Sequence, residues 1–158
     1  MNRFLHWPGH AWLSLPARFY LGYVFILACI HKIAYPGVFA LDIATYDILP
    51  LAAINLTAIV LPWIEFFAGV MLIAGWRVRA ASLLVAAMMF VFLAAVCIAV
   101  ARGLDMSCGC FASQGAEEDP ISRVTIFRDT VWLGLALFVA AVDRGVAGLD
   151  GRLERRLS

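Results

Sequence analysis

Cys108 and Cys110 stand one residue apart, followed by Phe111, in a polar stretch between two long apolar runs. Two thiols at that spacing can close a disulfide, hold a soft metal, or exchange electrons with another thiol. A bridge across a single residue closes a small ring far from relaxed geometry, and strained disulfides are the exchangeable ones. Gly109 between them accepts backbone angles that other residues resist. Arg102 and Arg123 favour a thiolate nearby, whereas Glu117, Glu118 and Asp119 oppose one. The stretch has no histidine and the pair offers only two ligands, so no zinc or copper site is expected. A static bridge that pins the loop is the structural alternative.

The elements that must position this pair are membrane helices. The chain has 158 residues, 64% of them apolar, and a mean hydropathy of +0.91. That excess exceeds what a soluble core uses and points to lipid as the surrounding phase, with no nucleic-acid partner. Four runs are long enough to cross the hydrocarbon, at roughly 18–35, 51–75, 79–101 and 124–142. The reading is an all-α, four-helix integral membrane bundle forming a single domain over 1–158, with the connection 102–123 as its longest polar stretch. The segment before the first run, with Trp7 and Trp12, suits the membrane interface. No small-x-small cleavage pattern follows that run, so it reads as an uncleaved helix. Tyr35-Pro36-Gly37 reads as a turn opening a linker over 36–50, and Pro62 as a kink in the second span. Ala95 with Ala99, and Ala136 with Ala140, have the small-x-x-x-small spacing that lets helices approach closely in lipid.

Basic residues set the orientation. Arg3, Arg18, Arg77, Arg79, Arg144, Arg152, Arg155 and Arg156 fall at one set of helix ends, and Lys32, Arg102, Arg123 and Arg128 at the other. The richer side is expected to be cytoplasmic. Both termini then lie inside a bacterial inner membrane, and the Cys-Gly-Cys loop faces the oxidising periplasm, where disulfides persist. Cys29 and Cys97 lie near the same outer ends of the first and third spans, so a relay from the surface pair inward is open to them. The bland reading of each is a small apolar core residue.

Charges within the spans are expensive in lipid and therefore informative. Glu65 must face the bundle interior with a partner, or be protonated; a proton path, a contact to a quinone, and an interhelical ion pair all fit. His31 and Lys32 end the first span while Arg128 and Asp129 open the fourth at similar depth. Lys32 with Asp129 is the ion pair this placement suggests, with plain interface anchoring of Lys32 and Arg128 as the alternative, and His31 can exchange protons near neutral pH.

In order along the chain, Arg18, Gly22, Lys32, Phe39, Tyr46, Pro50, Pro62, Glu65, Gly69, Gly75, Phe90, Cys108-Gly109-Cys110-Phe111 and Arg128-Asp129 resemble the MauE family of DoxX-like membrane proteins, over about 18–142. Ala112, where the family continues with Gly, and the acidic run 117–119 depart from the pattern. The resemblance implies a four-helix membrane protein that helps mature methylamine dehydrogenase, whose disulfide-rich small subunit is assembled in the periplasm with a thioredoxin-like partner. On this reading Cys108 and Cys110 exchange disulfides with that partner, and quinone is the cofactor that the sequence permits. A non-catalytic assembly scaffold and a small transporter or channel lined by Glu65 are the alternatives.

Overall fold

A helix that is apolar all round has no amphipathic face to announce its inward side; in lipid, small and polar residues select it. The structure is a computed structural model describing residues 9–103, 123–143 and 148. Its helices are α1 (Gly9–Ala34), α2 (Pro36–Thr45), α3 (Leu51–Ala74), α4 (Val78–Ala101) and α5 (Arg123–Val142). Four of them, α1 from Ser14 onward, α3, α4 and α5, are long and apolar enough to cross a membrane. The helical membrane bundle and its four spans therefore stand as the sequence suggests. α1 packs on α3 and α5, and α4 packs on α5 and α3, so α1 and α4 occupy diagonal corners of the bundle.

Two boundaries differ from expectation. The first helix begins at Gly9 and continues through Pro16, rather than starting near residue 18. The linker 36–50 also contains a helix of its own. Pro36 occupies the first position of α2, where its missing N–H is no loss and its fixed φ is already helical. The Tyr35 carbonyl accepts the Val38 and Phe39 N–H groups, so the Tyr-Pro-Gly signal marks a helix start rather than a plain turn. α2 then packs chiefly along α3 and buries Phe39.

The α3–α4 turn is closed by Gly75 in the left-handed conformation, with the Trp76 N–H on the Met71 carbonyl and the Gly75 N–H on that of Leu72. This Schellman pattern satisfies the last carbonyls of α3. A Cβ on Gly75 would stand 2.6 Å from the Gly148 Cα and 3.3 Å from the Arg18 guanidinium, so the turn, the tail and α1 are stacked closely there.

One stripe of each span is buried. On α1 it contains Ser14, Arg18, Leu21, Phe25, Cys29 and Lys32; on α5 it contains Thr125, Asp129, Trp132, Ala136 and Val139, and Asp143 just past the helix end continues it. Both step by three and four residues, the helical period. The α1–α3 seam closes at Gly22 and Gly69: a Cβ on Gly22 would meet the Gly69 carbonyl oxygen at 2.9 Å, and one on Gly69 would meet the Gly22 oxygen at 3.0 Å. On the α4–α5 side the expected small residues Ala99, Ala136 and Ala140 are buried. Gly22→Leu and Gly69→Leu should each push α1 off α3 and destabilise the protein by about 1–3 kcal/mol. Gly37→Ala, whose Cβ meets nothing within 4 Å, should have no comparable effect. Thermal unfolding in detergent micelles compares them; unchanged unfolding in both leucine variants would contradict the backbone-contact account.

Candidate functional site

The Gly22–Gly69 contact fixes the vertical register of two antiparallel helices. With Gly22 level with Gly69, Lys32 stands ten residues and Glu65 four residues toward the Ala34 end, so Glu65 lies about 9 Å deeper than Lys32 at ~1.5 Å per residue. Side chains tilt toward their own helix N-terminus, so the lysine on α1 and the glutamate on α3 lean toward one another across that offset. They meet in a two-pronged contact: Lys32 Nζ donates to Glu65 Oε1 and Oε2, both at 2.9 Å. Only 9% of the Lys32 side chain and 11% of the Glu65 side chain are exposed. The Lys32 ammonium also stands over the Phe39 ring, 4.9 Å from its centre. α2 thus covers the pair with an aromatic face that suits a cation.

This corrects the partner expected from sequence. Lys32 pairs with Glu65, not with Asp129; Asp129 instead accepts from the Nε of its neighbour Arg128 at 3.2 Å. The reason is packing. The glycine seam draws α1 onto α3, and a bidentate carboxylate lies within reach there. Arg128 stacks over the Trp132 ring at 4.9 Å, and the Trp132 Nε1 donates to the Tyr20 hydroxyl at 3.2 Å, tying α5 to α1. His31 lies beside Tyr35, ring centres 5.1 Å apart. Trp63, Phe66 and Phe67 form an edge-contacting cluster next to Glu65, with Trp63 and Phe67 turned outward.

A cavity of about 460 Å³ opens beside the Lys32–Glu65 pair, with residues of all five helices in its wall. Residues of the two diagonal helices face across it, Val24, Phe25 and Ala28 from α1 and Met88, Phe92 and Ala95 from α4, with Leu61 from α3 and Trp132 from α5. Its polar groups are Lys32, Glu65, and Asp42 and Tyr46 from α2 and its C-terminal cap. Burial, then the Asp129 carboxylate, then Asp42 push the Tyr46 phenol up to about 12. At neutral pH it is a hydroxyl and can donate.

At the opposite end of α1, Arg18 is almost wholly buried and pairs with Asp143 at 3.4 Å. By position in the chain Arg18 is a boundary charge and Asp143 only the start of a charged tail. The signal was present: Arg18 and Lys32 are 14 residues apart on one buried stripe of α1, and Asp129 and Asp143 are 14 apart on that of α5. Asp42 reaches the cavity because the segment after α1 is itself helical.

The cysteines divide. Cys29 is buried, its Sγ on the Ile26 carbonyl at 3.1 Å. Cys97 is exposed on the outward side of α4, the helix diagonal to α1. The structure does not join these two to each other. Cys108 and Cys110 lie outside the described residues, in the connection between the end of α4 and the start of α5.

Fold and site together define a polytopic helical membrane protein with an ion pair buried beside an apolar cavity. Compared with known proteins, the chain matches the family described as methylamine utilisation protein MauE over residues 10–142, and it belongs to that family. It is 31% identical over 141 residues to methylamine utilization protein MauE of Paracoccus denitrificans, covering 89% of this chain and 73% of that protein. It is 29% identical over 140 residues to the protein of the same name from Methylophilus methylotrophus, covering 87% and 73%. No solved structure matches the chain.

Two outcomes test the site. Lys32→Met or Glu65→Leu alone leaves one charge buried and should destabilise the protein by about 3–5 kcal/mol, whereas the double variant should recover most of that loss. A thermal-unfolding cycle in detergent checks this, and additive losses would contradict the pairing. Tyr46 supplies the second. Its folded value lies above the ordinary value of roughly 10, so its contribution to stability is intact below that pH and is lost as pH rises through about 12. An ultraviolet tyrosinate titration should show a late component that Tyr46→Phe removes; loss of an ordinary component instead would refute the buried, carboxylate-flanked phenol.

Proposed function

We propose that the protein is a membrane thiol–disulfide exchange protein of methylamine utilisation, with Cys108 and Cys110 as its redox pair. The observation that carries the reading is the family membership over residues 10–142, in a chain that keeps a Cys-Gly-Cys sequence within the matched span. The pair falls between α4 and α5, in the connection at the end of the bundle where α1 finishes with Lys32. The excess of basic residues at the opposite helix ends supports a cytoplasmic position for both termini and a periplasmic one for this connection.

The chemistry is a two-step exchange. A thiolate of a thioredoxin-like partner attacks one sulfur of the Cys108–Cys110 bridge, forming a mixed disulfide and releasing the other cysteine as a thiolate. The partner's second thiolate then displaces the first cysteine. The partner leaves oxidised, the pair is left as a dithiol, and two electrons have moved to the membrane protein. The oxidised partner serves the disulfide-rich small subunit of methylamine dehydrogenase. Phe111 beside the pair offers an apolar contact for the incoming protein. Cys29, buried in the α1 stripe, and Cys97, turned outward on α4, take no part in this step.

Cys108→Ser and Cys110→Ser should each abolish disulfide-dependent maturation of the client, read as loss of correctly bridged small subunit in a strain carrying only the variant. Glu65→Gln that still folds should keep it. Full maturation in both cysteine variants would overturn the exchange reading in favour of a scaffold, and loss confined to Glu65→Gln would favour a transporter.

A further inference from the structure

A disulfide site that accepts electrons from a partner must pass them on, and the described part of the molecule holds a cavity suited to a lipid-borne acceptor. We propose that the cavity between α1, α3 and α4 binds the ring of an isoprenoid quinone, with a ring carbonyl on Lys32 and the apolar tail leaving between α3 and α4. As the acceptor for Cys108 and Cys110 this rests on the exchange reading above; as a binding site it does not.

Four observations carry it. The volume of about 460 Å³ lies within the range of small-molecule sites. Of the nineteen lining residues only Lys32, Asp42, Tyr46 and Glu65 bring polar or charged groups, apart from the Trp132 N–H that is already given to Tyr20. Lys32 and Glu65 stand under Phe39 of α2, and Asp42 and Tyr46 come from α2 and its cap, so the polar groups enter the cavity from the side that α2 covers and the rest of its wall is apolar. On its flank stand Leu61 of α3 and Ala87 and Val91 of α4, and the last two are exposed where lipid would be. Finally, Lys32 and Glu65 neutralise one another, so the pair presents no net charge to hold an ion. The occupant is therefore a neutral amphiphile that accepts a hydrogen bond.

Lys32 has three N–H donors, and Glu65 takes two of them. In the proposed complex the third turns from the Phe39 ring to a carbonyl oxygen of the quinone, and the ammonium stabilises negative charge that gathers on that oxygen during reduction. An acyl chain has no atom for this donor, which favours a quinone over a lipid tail. The reaction balances without another reactant: the Cys108–Cys110 dithiol gives up two electrons and two protons to become a disulfide, and the quinone takes both to become a quinol.

The test uses the full chain in lipid nanodiscs with a photoreactive azido-ubiquinone analogue, competed by decylubiquinone. Labelling should saturate, map to peptides of α3 and α4, and fall at least tenfold in Ala28→Phe and Ala95→Phe, each of which fills the cavity. Decylubiquinone should also raise the unfolding temperature of the wild-type chain, a readout that needs no variant to fold. The Cys108→Ser/Cys110→Ser protein should label like wild type, so a failed exchange reading leaves this result standing. Labelling that decylubiquinone does not compete, equal labelling of both filled variants, or a phospholipid that native mass spectrometry finds retained against quinone would overturn the proposal.

Discussion

A lysine and a glutamate inside a membrane bundle are tolerable only as a pair, and the architecture is arranged to make that pair. An isolated charge at that depth would carry a desolvation penalty of several kcal/mol. The two 2.9 Å contacts between Lys32 and Glu65 remove it only if α1 and α3 hold a fixed register. Gly22 and Gly69 supply the register by letting the two backbones touch. Phe39 completes the enclosure, which is why the chain forms α2 immediately after α1 instead of running loosely to α3.

The same logic recurs at the other end of α1. Arg18 reaches Asp143 at the end of α5 and lies against the Gly75 turn, so a single buried cation gathers three parts of the chain. α1 is thus anchored electrostatically at both ends, to α5 at one and to α3 at the other. Because these anchors hold α1 toward α3 and α5, the diagonal helix α4 is left facing α1 across an open interior. The cavity is a consequence of where the charges are satisfied. Its polar side holds the ion pair itself, and it lies toward the end of the bundle from which the Cys-Gly-Cys connection departs.

Much of this was legible in the chain. The four spans follow from length and hydropathy, and their boundaries agree closely for α3, α4 and α5. The need for Glu65 to face a partner follows from its cost in lipid. The identity of that partner was not legible, because sequence depth puts Lys32 level with Asp129 as readily as near Glu65. Only the glycine contact, which is a matter of backbone approach, decides between them. α2 was hidden because Pro36-Gly37 signals a turn as well as a helix start, and ten residues are too few for periodicity to speak. The depth of Cys97 could be counted from the helix end, but its outward direction depends on which face of an Ala-rich helix packs, and Val96 and Ala99 took the inner side. The proposed pair Cys108 and Cys110 stands out in the chain by its one-residue spacing in a polar stretch between two apolar runs.

In the proposed function a disulfide exchange site lies on the periplasmic side of a bundle whose buried ion pair adjoins an apolar cavity. Exchange there requires Cys108 or Cys110 to form a transient bond with a partner thiol. The most direct measurement is mixed-disulfide trapping in cells that express Cys108→Ser or Cys110→Ser, with free thiols blocked by a maleimide before lysis. At least one variant should yield a reductant-sensitive adduct with a periplasmic thioredoxin-like protein. Absence of any adduct in both variants, with the wild-type cysteines fully oxidised and unresponsive to reductant, would contradict exchange at this pair.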